Sequence, residues 1–155
     1  YMVGVCTGSS DSDTDLVSEV IRQEPMVLIL SGLKKKKFAV GEIIPVLTIE
    51  SRSGAWTSIE DTMRQLKLVR VASLESFFAV AQMAVSGFGH GLVPIGVART
   101  LGVEDKHLVK LSGTDTTPSL TRPVRFVARK SMFAQALVRS FYLEAARLAD
   151  DMDNT

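Results

Sequence analysis

The sequence predicts an α/β fold, a parallel-rich sheet with helices on both faces. Three observations lead there. Short apolar runs typical of buried strands, such as residues 26–30 (MVLIL) and 45–50 (PVLTIE), alternate with segments whose apolar residues recur at helical spacing. The segment 76–94, SFFAVAQMAVSGFGHGLVP, joins a helix apolar on almost every side to a glycine-spaced turn and a short buried strand. A content of 46% hydrophobic residues among 155 is enough to bury a real core, and the composition points neither to disorder nor to a fibrous repeat.

Residues 2–6 (MVGVC) read as a strand entered without a leading cap or turn, so the chain is expected to be part of a longer one. The polar stretch 7–15, where Gly, Ser, Asp and Thr cluster, is expected to be a loop connecting two lobes. Residues 16–30 read as two strand pieces around Gln23, Glu24 and Pro25, residues 32–37 as a turn, and residues 45–50 as a further strand. Residues 53–66 carry helical spacing through Trp56, Ile59, Met63 and Leu66, and residues 68–72 return to strand. Ser76 is placed to cap the next helix and Gly87 to end it in the left-handed conformation. Gly89 and Gly91 let the backbone pass close to its neighbours before Leu92 and Val93 enter the sheet at Pro94. A short helix through Val97 and Leu101 follows, then strands at 108–111 and 124–129. The last helix is expected to be capped by Ser131, with Phe133, Leu137, Phe141, Ala145 and Leu148 along one face.

Charge and chemistry exclude several functions. With 18 Lys and Arg against 17 Asp and Glu, the chain has no electrostatic footprint for a nucleic-acid backbone and is not expected to hold DNA by itself. Its single cysteine, Cys6, excludes an internal disulfide and a cysteine-rich metal site; within an apolar strand it should be a small hydrophobe with an inert thiol. His90 and His107 have no metal-ligand spacing and are assigned structural roles. No apolar run is long enough to span a bilayer or to read as a secretory signal, so a cytoplasmic protein with no membrane partner is the default. The glycines at 87–91 follow a helix instead of opening one, and there is neither a Gly-x-Ser-x-Gly elbow nor a phosphate-binding P-loop. Asp11, Asp13 and Asp15 lack the bidentate Glu of a calcium loop, the place being taken by Arg22. No enzyme activity, cofactor or metal is expected.

In open α/β sheets ligands sit at the carboxyl ends of strands. Here two such ends lead through loops 50–54 and 73–76 into helices. The free N–H groups and aligned dipoles of the helix starts favour an anion, and hydroxyls of Ser51, Ser53, Ser73 and Ser76 can add directional bonds, so a small carboxylate is the natural guest. The same serines can instead only cap their own helices. Arg52 can clamp a carboxylate or stay solvated, and Trp56 can wall the cleft or pack in the core. The run 34–37 (KKKK), lacking interleaved aromatics and phosphate-cradling glycines, reads as a solvated loop. In the helix after Ser76, the stripe Phe77, Val80, Ala81 and Ala84 can pack on the sheet. The stripe Phe78, Gln82 and Val85 then remains to be covered, by a second subunit or by a neighbouring loop.

Gly87, Gly89, Leu92, Val93 and Pro94 resemble the Gly-x-Gly-x-x-hydrophobic-hydrophobic-Pro turn of the effector domain in LysR-type transcriptional regulators; His90 and Gly91 stand where aliphatic and small residues are usual. The resemblance continues in order through residues 2–8, the Glu-Pro-aliphatic strand at 24–30, the strand 45–50 and the closing segment from Arg122. The lysine run occupies the place where many relatives carry a His-Pro pair. The resemblance implies a periplasmic-binding-protein-like (type 2) two-lobed fold, with residues 16–129 as a complete lobe two and residues 1–15 and 130–155 as part of lobe one. It implies a small-molecule effector held by Thr7, Ser51, Arg52, Ser53, Ser73, Glu75 and Ser76. It also implies a homodimer or homotetramer with Phe78, Gln82 and Val85 in the dimer interface, and DNA bound only through a winged helix-turn-helix absent from this chain. A solute-binding protein of the periplasmic type, which shares the fold, is the alternative.

Overall fold

The alternation of strands and helices recurs in the computed structural model, which describes residues 3–7, 15–39, 41–50, 55–111 and 119–153. In chain order the elements are β1 (Val3–Thr7), β2 (Leu16–Ile29), β3 (Ile44–Ile49), α1 (Ala55–Gln65), β4 (Leu68–Leu74), α2 (Phe77–Val85), β5 (His90–Pro94), α3 (Ile95–Thr100), β6 (Leu108–Lys110), β7 (Thr121–Arg129), α4 (Lys130–Phe133) and α5 (Ala136–Asp153). They divide into two units, Pro25–Thr121 and the pair Tyr1–Glu24 with Arg122–Thr155.

In the unit Pro25–Thr121 the apolar runs are explained by burial on both faces. Along β2, Met26 and Leu28 join Ile44, Val46 and Leu92 against Ile59 and Met63 of α1. The alternate residues Val27 and Ile29 join Leu47 and Val93 against Val80, Ala81 and Ala84 of α2 and Ala98 of α3. A strand covered on both sides can afford no polar alternation, which is why residues 26–30 read as a continuous apolar stretch. β3 pairs parallel with β4 and β5, whereas β2 pairs antiparallel with β5 and β6. The sheet is therefore mixed instead of parallel-rich, because β2 enters from the edge at which β5 ends.

α2 begins and ends as its residues dictate. Ser76 is extended, and its Oγ accepts the Ala79 N–H at 3.2 Å. At the far end Gly87 takes φ +91, while the Gly87 N–H donates to Ala84 O and the Phe88 N–H to Met83 O, both at 3.0 Å; this is a Schellman ending. α2 then lies directly on β5: a Cβ at Gly91 would stand 2.9 Å from Ala84 Cβ and 3.1 Å from Val80 O.

The other unit is built on β7. β1 pairs antiparallel with it, from Val3 opposite Ala128 to Thr7 opposite Val124, and β2 is its other neighbour. Phe126, fully buried, is ringed by Phe133, Phe141 and Tyr142 with centroids 5.4–6.3 Å away. Arg122 donates to Glu24 Oε2 from Nε at 2.7 Å and from Nη2 at 2.6 Å.

Several sequence expectations are corrected. Residues 16–29 form one strand through Pro25, not two pieces. Cys6 is exposed, because β1 is paired on one side only among the described residues. Ser131 lies inside α4, which starts at Lys130 after an uncapped Arg129, and the helix restarts at Ala136. That restart shifts the phase of α5. Val138 and Ala149 are buried with Tyr142 and Ala145 alongside, while Leu137, Phe141 and Leu148 of the expected stripe are exposed. The two units change over at Glu24/Pro25 and Thr121/Arg122. β2 runs through the first of these changeovers, and its residues Met26 to Ile29 pair with β5.

Candidate functional site

Strand register sets where loops emerge. β3 and β4 are parallel with Thr48 opposite Ser73 and Ile49 opposite Leu74, and the Glu50 N–H donates to Leu74 O at 3.0 Å. The segments leaving from Glu50 and from Glu75 therefore start at the same edge of the sheet. β5 runs the same way, its Pro94 opposite Met26 of β2, and the Met26 N–H donates to Leu120 O at 2.9 Å. Both places where the chain enters and leaves this unit thus lie at the edge where the helices begin.

Ser73, Glu75 and Ser76 are exposed at that edge. Ser76 Oγ accepts from Ala79, which satisfies one helix-start donor and leaves the hydroxyl proton to be donated elsewhere, so capping and ligand contact are compatible uses. The positive end of the α2 dipole favours an anion here, whereas the Glu75 carboxylate beside it opposes one and suits a donor group. Ser51, Arg52 and Ser53 lie outside the described residues, as does the side chain of Trp56. Thr7 is the last residue of β1, paired with Val124 instead of standing in the following loop; it is exposed and belongs to the other unit.

Two cavities were not legible in the sequence. One of about 400 Å³ is lined by Ile43, Met63, Arg64, Lys67, Val69 and Arg70. It lies at the opposite end of β4, beside the C-terminus of α1, whose dipole disfavours an anion. The other, of about 240 Å³, is lined by Pro25, Met26, Ile95, Lys110, Leu120 and Thr121, at the edge where the chain enters. Its walls are largely apolar, with Lys110 the one basic residue among them. Among the described residues no group of three His, Cys, Asp or Glu could hold a metal ion, and no helix is long and apolar enough to cross a membrane. The Glu24–Arg122 pair was likewise missed: its members stand 98 positions apart, and no local pattern announces it.

The LysR substrate binding domain family matches residues 3–149, and the chain belongs to that family, a family of effector-binding domains of transcriptional regulators. The periplasmic-binding-protein-like (type 2) fold expected from the resemblance is the fold of this family. The reduced regulatory domain of OxyR2 from Vibrio vulnificus is similar with a TM-score of 0.63 and 18% identity over 96% of this chain and 71% of that one. The regulatory domain of MexT, a transcriptional activator in Pseudomonas aeruginosa, gives 0.66 and 10% over 94% and 72%. The regulatory domain of CcmR from Synechocystis, solved in complex with 2-PG, gives 0.61 and 17% over 97% and 74%. At such identities the likeness is one of fold. No curated protein matches the chain by sequence.

Proposed function

We propose that this chain is the sensing part of a LysR-type regulator that takes up a small organic anion and so adjusts DNA binding by the full-length protein. The observation that carries the reading is the parallel register of β3 and β4, which starts both following segments from one edge. The α2 N-terminus and the hydroxyls of Ser73 and Ser76 supply an anion site there, and Thr7 is assigned to it by family resemblance. Ser51, Arg52 and Ser53 belong to the same site by family resemblance, and Glu75 accepts from a donor group of the ligand. The complex of CcmR with 2-PG supports a small acid as the guest. Calorimetry of the full-length protein against a panel of small organic acids that includes 2-PG is the test. Thr7→Val and Ser73→Ala are each expected to weaken the best ligand about tenfold, the worth of a hydrogen bond to a charged group. Unchanged affinity in both variants would move the site elsewhere.

The same reading makes α2 a contact between subunits of a dimer. Phe78 is 50% exposed and Gln82 is also open, whereas Val85 is half-buried against the chain's own core. Phe78→Glu is thus the cleaner probe. In the full-length protein it should raise the dimer dissociation constant about 30-fold in sedimentation, as loss of an aromatic anchor worth about 2 kcal/mol would. A fully dimeric, normally folded variant would place the interface elsewhere.

A further inference from the structure

His90 occupies the first position of β5, opposite Val46 of β3. Its Nδ1 accepts the backbone N–H of Ser31 at 3.0 Å, so the ring is held with Nδ1 bare and the proton on Nε2. The 3-10 turn Ser31–Leu33 anchored by this bond contains a left-handed leucine, Leu33 at φ +54, a backbone state that persists only where surrounding bonds hold it. The turn rests on the end of α2, where a Cβ on Gly32 would meet Gly87 Cα at 3.6 Å. The segment that follows packs against the same imidazole. Phe38 meets it edge-on, with centroids 5.3 Å apart, and Lys36 Nζ lies 4.6 Å from the Phe38 ring centre. Lys36 is paired at 3.0 Å with Glu42, whose other oxygen accepts the Ala39 N–H at 2.9 Å.

We propose that His90 is a pH-operated latch, whose neutral imidazole clasps residues 31–39 against β5 and the end of α2 and whose protonation releases them. A proton on Nδ1 takes the lone pair that the Ser31 N–H uses, so the bond and the imidazolium cannot coexist. Burial, and after it the charge of Lys36, hold His90 below its ordinary value of 6.5, while Glu42 acts in the opposite direction. No other ionisable side chain stands in the 3-10 turn, in β3 or in α2, the elements packed against the ring, and Lys34, Lys35 and Lys37 of the lysine run are exposed. Because the folded state favours the neutral ring, the latch is complete above pH 6.5 and is lost as pH falls through the lowered value.

Hydrogen exchange of the full-length protein, corrected for the intrinsic pH dependence of exchange, tests this. Protection of residues 31–39 should fall at least tenfold between pH 7.5 and pH 5, while residues 44–49 of β3 stay protected. His90→Gln, whose side-chain carbonyl can accept the Ser31 N–H without titrating, should abolish that fall. No fall in the wild type, or the same fall in His90→Gln, would overturn the latch. If the variant is open at both pH values, the wild type decides: the midpoint of the exchange change must coincide with the titration of the His90 ring followed by NMR, and separate midpoints would overturn the proposal.

Discussion

Gly91→Val is expected to destabilise the protein by about 3 kcal/mol, the upper end of what overpacking a close-packed core costs. A Cβ there would stand 2.9 Å from Ala84 Cβ, 3.1 Å from Val80 O and 3.2 Å from Val80 Cγ1. Val80 and Ala84 are themselves fully buried between α2 and the sheet, so neither can turn aside. The helix must lift from β5, and its N-terminus would shift at the edge that carries Ser73, Glu75 and Ser76. Gly91→Ala should cost about half as much. Gly4→Ala, where a Cβ would meet nothing within 4 Å, should stay within about 0.5 kcal/mol and serves as the control. Urea unfolding measures all three, and a wild-type midpoint for Gly91→Val would refute the close seating of α2 on β5.

The second large effect is expected at Arg122. Its side chain is 19% exposed and that of Glu24 11%, and both of its bonds to Glu24 go to one carboxylate oxygen. Arg122→Met removes those donors and leaves a largely buried carboxylate behind, which should cost about 2–3 kcal/mol. That is just under the usual range for breaking a buried pair, because some solvent still reaches the two groups. The double variant Glu24→Met with Arg122→Met should recover at least half of the loss, since an apolar pair pays no desolvation. Arg122 begins the returning segment of the unit that Glu24 ends. Loss of the pair should therefore loosen β2 and β7 where the chain changes units. If Arg122→Met unfolds at the wild-type denaturant concentration, the pair is not structural.

The local grammar of α2 and its turn was legible because every signal in it acts over a few residues: the Ser76 cap, the left-handed Gly87 and the closely approached Gly91. The covered strand at 26–30 was legible for a related reason, since burial on both faces leaves an unbroken apolar run. Interactions between distant residues were not. Gln23, Glu24 and Pro25 read as a break, yet β2 continues through them, with Glu24 held by a partner 98 positions on. The phase of α5 was misread because the break after α4 falls in a stretch without Gly or Pro to mark it. Of the candidate site, the edge was readable from strand, loop and helix order, and Ser73, Glu75 and Ser76 stand on it exposed. The role of His90 was hidden, since it depends on Ser31, 59 positions away.

The effector site proposed above consists of the Ser73–Ser76 edge and, by family resemblance, Thr7. Hydrogen exchange of the full-length protein with and without the tightest acid found by calorimetry tests it most directly. The expected result is simultaneous protection of the peptides that contain Thr7 and residues 73–78, reduced together in Ser73→Ala. Protection confined to other segments, with both of these unchanged at saturating ligand, would contradict it.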